Sequence, residues 1–476
     1  MNRKTAGILC AAGGIAAVAA ILGARETRSS TRPPLPPIPD PPVATTCGAA
    51  PARVAADFGP GTLTAALSSE KVLFKGNGEL YVSVDLEARD AAVTTRPPMN
   101  IAIVIDHSGS MQGEKIARAR EAAIGLIERL GPDDRAAVVQ YDDDAQLMVP
   151  MTPADAAGRS RLTRAIGAIQ DAGGTNLGGG LTLGRDEIMR NLEPSRVNRV
   201  ILLSDGNANV GITDIPSLAR LASDASERGV RITTIGLGLD YNEDLMEQVA
   251  DHGRGQYYYV KDASGLDTVF AGELKALQGT VAKAAELRLT PVCSGVEIAE
   301  IYGYPMRREG QTVVVPLADL AGGDRRKVVA RLKVPTAAMG AAKVLSAAFE
   351  FAPASGGARQ HVEALVGVEV SGDAARVQAS VVPEVQAKVA QVETATTERK
   401  AAEAYQKGDQ AGALRIIGAG KARLAAKRGY LSPKAYEPIA GGLDAVESGM
   451  ASTSAAAPMA PAVTKAAKKA AYDSVR

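Results

Sequence analysis

Tryptophan is absent from the sequence and phenylalanine occurs only five times, so platforms for stacking bases or sugar rings are scarce. An excess of charge of one sign is also missing. The 54 basic side chains are matched by 53 acidic ones, whereas a general nucleic-acid binder would carry a basic excess or a basic face. The three histidines, His107, His252 and His361, lie far apart along the chain, and no spacing among them suggests zinc. Of the three cysteines, Cys10 lies in an apolar segment, which leaves Cys47 and Cys293. These two either form a disulfide in an oxidising compartment or remain as two buried thiols. Neither Cys10 nor Cys47 stands in a lipoprotein attachment context, since Leu9 precedes the first and the second lies well beyond the apolar segment.

A chain of 476 residues predicts roughly two to four domains. Residues 1–24 differ in kind from the rest. "MNRK" gives a positive start, and "TAGILCAAGGIAAVAAILGA" follows without a charge. The pattern is that of a signal peptide or an N-terminal membrane anchor, and both place the remainder outside the cytoplasm, in the periplasm, on the cell surface or secreted. Residues 25–59 contain "RPPLPPIPDPPVA", which favours an extended proline-rich linker.

Beyond the linker the hydrophobic period changes twice. "ELYVSVDLEA" alternates as a half-buried strand does. Residues 98–281 then alternate apolar strands ("NIAIVID", "RAAVVQYD", "RVILLSD", "RITTIGLG", "QYYYV") with amphipathic helices. That rhythm predicts an α/β domain with a doubly wound, mostly parallel sheet covered on both faces. Strand patterns return after it ("AELRLTPV", "TVVVPL", "LSAAFEFA", "VEALVGVEV"). Residues 60–97 and 282–372 are therefore expected to form one antiparallel β-sandwich into which the α/β domain is inserted. Residues 380–448 read as a helical hairpin joined near Gly408, and residues 449–476, of low complexity, as a disordered tail.

Three segments in the α/β domain carry oxygen chemistry. "DHSGS" follows the first strand, "GGTNLGGG" precedes a helix, and "LSDG" ends a later strand. All parallel strands of a sheet exit at one edge, so Asp106, Ser108, Ser110, Thr175 and Asp205 are predicted to meet there. Hydroxyls and carboxylates without His or Cys suit a hard cation such as Mg²⁺. Hydroxyls binding directly, with the carboxylates acting largely through water, would leave the ion attractive to an outside carboxylate. The glycines permit tight turns beside the ion, and Asn176 is placed to hold the glycine loop. The acidic run "YDDDAQ" is expected to be a solvated turn rather than a second cation site. "GSMQGEK" lacks the Gly-Lys-Ser/Thr ending of a phosphate loop.

"DHSGSMQGEK", "GGTNLGGGL" and "LLSDGNANVG" together resemble the three loops of a von Willebrand factor A domain. The resemblance covers residues 98–281, and all five positions of the family's metal-ion-dependent adhesion site match. It implies that Asp106, Ser108, Ser110, Thr175 and Asp205 hold Mg²⁺ or Mn²⁺, and that the ion bridges to an acidic residue of a partner protein. The sandwich around an inserted domain is similar to bacterial extracytoplasmic proteins and to the inter-α-trypsin-inhibitor group.

The expected function is metal-dependent protein binding at the cell envelope, in adhesion or as a scaffold, with no catalytic residues. The expected partner presents an Asp or Glu carboxylate, and the membrane is contacted through the N-terminal segment if that segment is retained. Two alternatives are an assembly or chaperone-like subunit of an envelope complex and a metal-assisted hydrolase. Against the latter, the sequence shows no Ser/His/Asp set at recognisable spacing and no general base placed by motif.

Overall fold

Alternation fixes the faces of the first strands. In "ELYVSVDLEA" the side chains of Leu80, Val82, Val84 and Leu86 are all buried, because every second residue of a strand points to the same face. The computed structural model describes residues 48–90, 96–238, 241–457 and 460–475, so the predicted signal or anchor, most of the linker, Cys10 and Cys47 lie outside the described residues. Cys293 is disulfide-bonded. No helix among the described residues is long and apolar enough to cross a membrane.

The described strands begin with β1 (Arg53–Asp57), β2 (Gly61–Leu67), β3 (Lys71–Leu73) and β4 (Glu79–Ala88). Arg53–Asp57 falls inside the stretch expected to be linker. It forms a strand because it pairs in register with β2, Arg53 opposite Ala66 and Asp57 opposite Thr62.

The α/β part runs β5 (Met99–Asp106), α1 (Glu114–Glu128), β6 (Arg135–Tyr141), β7 (Ala145–Pro153), α2 (Ala156–Gly167), α3 (Leu177–Arg190), β8 (Val197–Ser204), α4 (Ile215–Glu227), β9 (Arg231–Leu237), α5 (Glu243–His252), β10 (Arg254–Val260) and α6 (Leu266–Gln278). Its sheet has the order β10-β9-β8-β5-β6-β7. Every pair is parallel except β6–β7. β7 has no counterpart in the sequence reading, and it contains Pro150 and Pro153. It lies at the sheet edge, where a missing backbone donor is tolerated. Residues of β5 and β8 are buried throughout because helices cover both faces, Leu126 and Phe270 on one side and Leu181 and Leu218 on the other.

The chain then returns to strands: β11 (Thr280–Pro291), β12 (Glu297–Ile301), β13 (Arg307–Glu309), β14 (Thr312–Pro316), β15 (Leu320–Ala321), β16 (Arg325–Lys333), β17 (Gly340–Pro353) and β18 (Gln360–Ser371). These complete two sheets begun before residue 98, of order β1-β2-β4-β16-β12 and β13-β14-β11-β17-β18-β3. β4 pairs with β16 from Glu79–Lys333 to Glu87–Arg325, so the α/β part is an insertion between hydrogen-bonded strands. Apolar residues of both sheets share one core. There Phe58, Phe349 and Phe351 pack with ring centroids 5.0–5.4 Å apart.

The C-terminal region departs from expectation. It holds α7 (Ala374–Ala379), α8 (Pro383–Gln406), α9 (Gln410–Ala426), α10 (Pro433–Ser452) and α11 (Ala460–Val475). The hairpin at Gly408 (φ +85°) is present, but the stretch expected to be a disordered tail is largely helix α11, packed on α8. Its composition misleads because the lysines that look solvated are buried. Lys465 donates to Glu243 (2.6 Å) and to the Tyr241 carbonyl (2.6 Å), and Lys468 donates to Asp244 (2.7 Å), Glu243 (3.1 Å) and Gln406 (3.0 Å). Tyr472 of α11 packs edge-on against Tyr257, and Val475 lies against Gly303, where a Cβ would come within 2.5 Å of it.

Candidate metal centre

The order of the α/β sheet places its topological switch between β5 and β8. From β5 the chain builds outward through β6 and β7, then returns to the other side of β5 to build β8, β9 and β10. Ligands of open α/β sheets bind beyond the strand ends at such a switch. Asp106 is the last residue of β5, and Asp205 follows Ser204, the last of β8.

Both carboxylates are fully buried, yet one neighbouring serine, Ser110, is exposed. Asp106 Oδ1 accepts from the Ser108 backbone N–H (2.9 Å), and Oδ2 accepts from Ser204 Oγ (2.7 Å). Burial pushes the Asp106 carboxyl above its ordinary range against the pull of these donors, and the nearby negative charge of Asp205 adds to the push. Ser108 and Ser110 hydroxyls lie 3.1 Å apart, and Ser110 Oγ donates to Asp205 Oδ1 (2.7 Å). Thr175 closes the group. A Cβ on Gly206 would lie 3.4 Å from both Ser110 Oγ and Thr175 Oγ1, so the two hydroxyls border one point above the β8 exit. Ser108 and Thr175 are buried and Ser110 is exposed. The structure thus brings all five sequence-predicted residues to one edge.

Backbone hydrogen bonds stitch the three loops together. Gly109 N–H donates to Gly173 O (3.1 Å), Ala172 N–H to His107 O (2.7 Å), and Asn209 N–H to Thr175 O (3.1 Å). Asn176 holds the glycine loop by capping α3, its Oδ1 accepting from Gly179 N–H (2.9 Å). Gly173 sits at φ +66°, where a Cβ would strike the Asp143 carboxylate; glycine is the residue that takes this backbone without penalty. The acidic turn is occupied locally. Asp142 Oδ1 accepts from Asp144 N–H and Asp143 Oδ1 from Gly174 N–H. His107 is buried between the Gln170 carbonyl, 2.8 Å from its Nδ1, and the Asp142 carboxylate, 3.8 Å from its Nε2.

Three contributors escaped sequence reasoning. Ser204 orients Asp106, and Asn209 Oδ1 accepts from Thr175 N–H (2.8 Å). Lys115, near the start of α1, pairs through Nζ with Asp205 Oδ2. Its ammonium offsets part of the charge of two buried aspartates. The signal available was its position as the second residue of the helix that follows "DHSGSMQG". The donor set itself, two carboxylates and three hydroxyls without nitrogen or sulfur, fits a hard divalent cation.

This fold and this arrangement define the class. Residues 100–272 match the family model of the von Willebrand factor type A domain, and the chain carries such a domain. Among known proteins it is 30% identical over 210 residues to YfbK of Escherichia coli K12, covering 44% of this chain and 36% of that protein. It is 30% identical over 166 residues to human inter-alpha-trypsin inhibitor heavy chain H4, covering 33% of this chain and 18% of that one. The chain therefore spans well under half the length of these relatives. A solved structure, the von Willebrand factor type A protein from Catenulispora acidiphila, superposes with a TM-score of 0.67 at 21% identity. That match covers 83% of this chain and 92% of the other, so the shared fold extends beyond the α/β part. Domains of this type typically mediate protein interaction or adhesion and often bind a divalent metal at this edge.

Proposed function

We propose that the protein is a metal-dependent protein-binding component of the cell envelope, acting in adhesion or as a scaffold rather than as an enzyme. The observation that carries the reading is the convergence of five oxygen-bearing side chains at the switch point of the sheet, with Ser110 open to solvent. Asp106, Ser108, Ser110, Thr175 and Asp205 would hold Mg²⁺ or Mn²⁺, and the bound ion supplies a positive centre for a partner's Asp or Glu carboxylate.

The remaining features serve that centre. Ser204 and the Ser108 N–H fix the Asp106 carboxylate, Lys115 restrains Asp205, and Asn209 and Asn176 hold the loop that carries Thr175. The envelope location is supported by the charged start and apolar run of residues 1–24. Affinity capture from native envelopes with Mg²⁺ present tests the whole reading. Partners are expected to be retained by the wild-type chain, released by chelator, and absent from an Asp106→Ala variant. Recovery of the same partners from wild type and variant, with and without chelator, would contradict it.

A further inference from the structure

Beside the metal centre lies an open apolar groove of about 380 Å³, lined by Ala145, Gly178, Gly179, Leu183 and Ile212 among others. The chain ties it to the centre at two places, and the loop that carries Ile212 donates from Asn209 N–H to the Thr175 carbonyl (3.1 Å). Asn176 lines it and follows Thr175 directly, and Ile212 is carried by the loop that begins at Asp205. The one charged residue lining it, Asp186, has its carboxylate paired with Arg185 at 2.6 Å.

Ile212 is displayed rather than loosely exposed. It is 41% accessible, one of few large apolar side chains so exposed among the described residues. The backbone beneath it is seated tightly on α3. A Cβ on Gly178 would come within 2.9 Å of Ile212 Cβ and 3.0 Å of its carbonyl oxygen, so only glycine at 178 lets the loop sit there. Gly211, at φ +67°, packs over the Asn176 side chain that also caps α3. An apolar side chain on so supported a loop loses little freedom when it is covered, which favours binding there.

Resting on the metal-dependent reading above, we infer that centre and groove form one recognition surface, and that its occupant is a protein segment with an apolar side chain within two residues of the carboxylate. The complementarity is of two kinds. A cation in the centre attracts the acid, while the groove offers no cation and an apolar lining suited to Leu, Ile, Val, Met or Phe. Successive Cα atoms are about 3.8 Å apart, and Asn176 in the groove stands next to Thr175 in the centre, so one short segment can engage both.

The test selects random peptides displayed on phage against the full chain in Mg²⁺, with elution by chelator. The eluted pool is expected to be enriched in Asp or Glu with an apolar residue within two positions. Synthetic peptides with Leu at that position are expected to bind about tenfold tighter than their Ser counterparts. Ile212→Ser and Leu183→Ser should each bring that ratio towards one, with the melting temperature reporting that the variants are folded. A chelator-eluted pool rich in acids but indifferent to Leu or Ser beside them would overturn the groove and leave the metal reading standing. An empty chelator-eluted pool would overturn both.

Discussion

Replacing Lys465 and Lys468 together by methionine is expected to destabilise the chain by about 3–5 kcal/mol, the range for removing one side of a buried ion pair. Both lysines are almost completely buried in α11, and between them they hold Glu243, itself buried, and Asp244 at the start of α5. Methionine keeps most of the aliphatic stem, so packing on α8 changes little while Glu243 loses both cations. Lys465 also stands 3.8 Å from the Tyr241 ring centroid, a contact that methionine does not replace in kind. Urea unfolding followed by circular dichroism reads the effect; a midpoint equal to that of the wild type would show that α11 is not seated on α5.

The same pair has a pH signature. Burial alone would raise the Glu243 carboxyl, but Lys465, and then Lys468, outweigh burial and hold it below its ordinary range. A depressed folded value means the contribution is complete above the unfolded glutamate pKa, about 4.3, and fades as pH falls through the folded value below it. Acid unfolding of the wild type should therefore include a component that the double variant lacks.

Asp106→Ala is expected to weaken Mn²⁺ uptake by roughly a hundredfold or more, since loss of even an orienting partner costs about ten- to a hundredfold at metal sites. The substitution removes a buried carboxylate and leaves the Ser108 N–H and Ser204 Oγ without their acceptor. Paramagnetic resonance of free Mn²⁺ against protein concentration measures it directly. Equal uptake by wild type and variant would remove Asp106 from the centre.

Much of this was legible because the α/β part obeys simple rules. β5 and β8 are apolar from end to end because both of their faces are covered. Asp106 and Asp205 stand out because carboxylates at the exits of such strands need a reason. Thr175 was recoverable only through the glycines around it. What local sequence could not show were partners distant along the chain. Lys465 and Lys468 read as a solvated run in an Ala-rich tail, yet their acids lie more than two hundred positions earlier. Lys115 likewise reads as an ordinary surface lysine of α1 until β8 brings Asp205 beside it. β7 was not read from the sequence at all; it carries Pro150 and Pro153, which weaken a local strand pattern and which its place at the sheet edge accommodates.

Isothermal titration calorimetry of the folded full chain with Mg²⁺, and separately with Mn²⁺, puts the five-oxygen centre to the most direct test. A saturable uptake at a single site per chain, abolished by chelator, is the predicted result. Folded protein that takes up neither ion would contradict it.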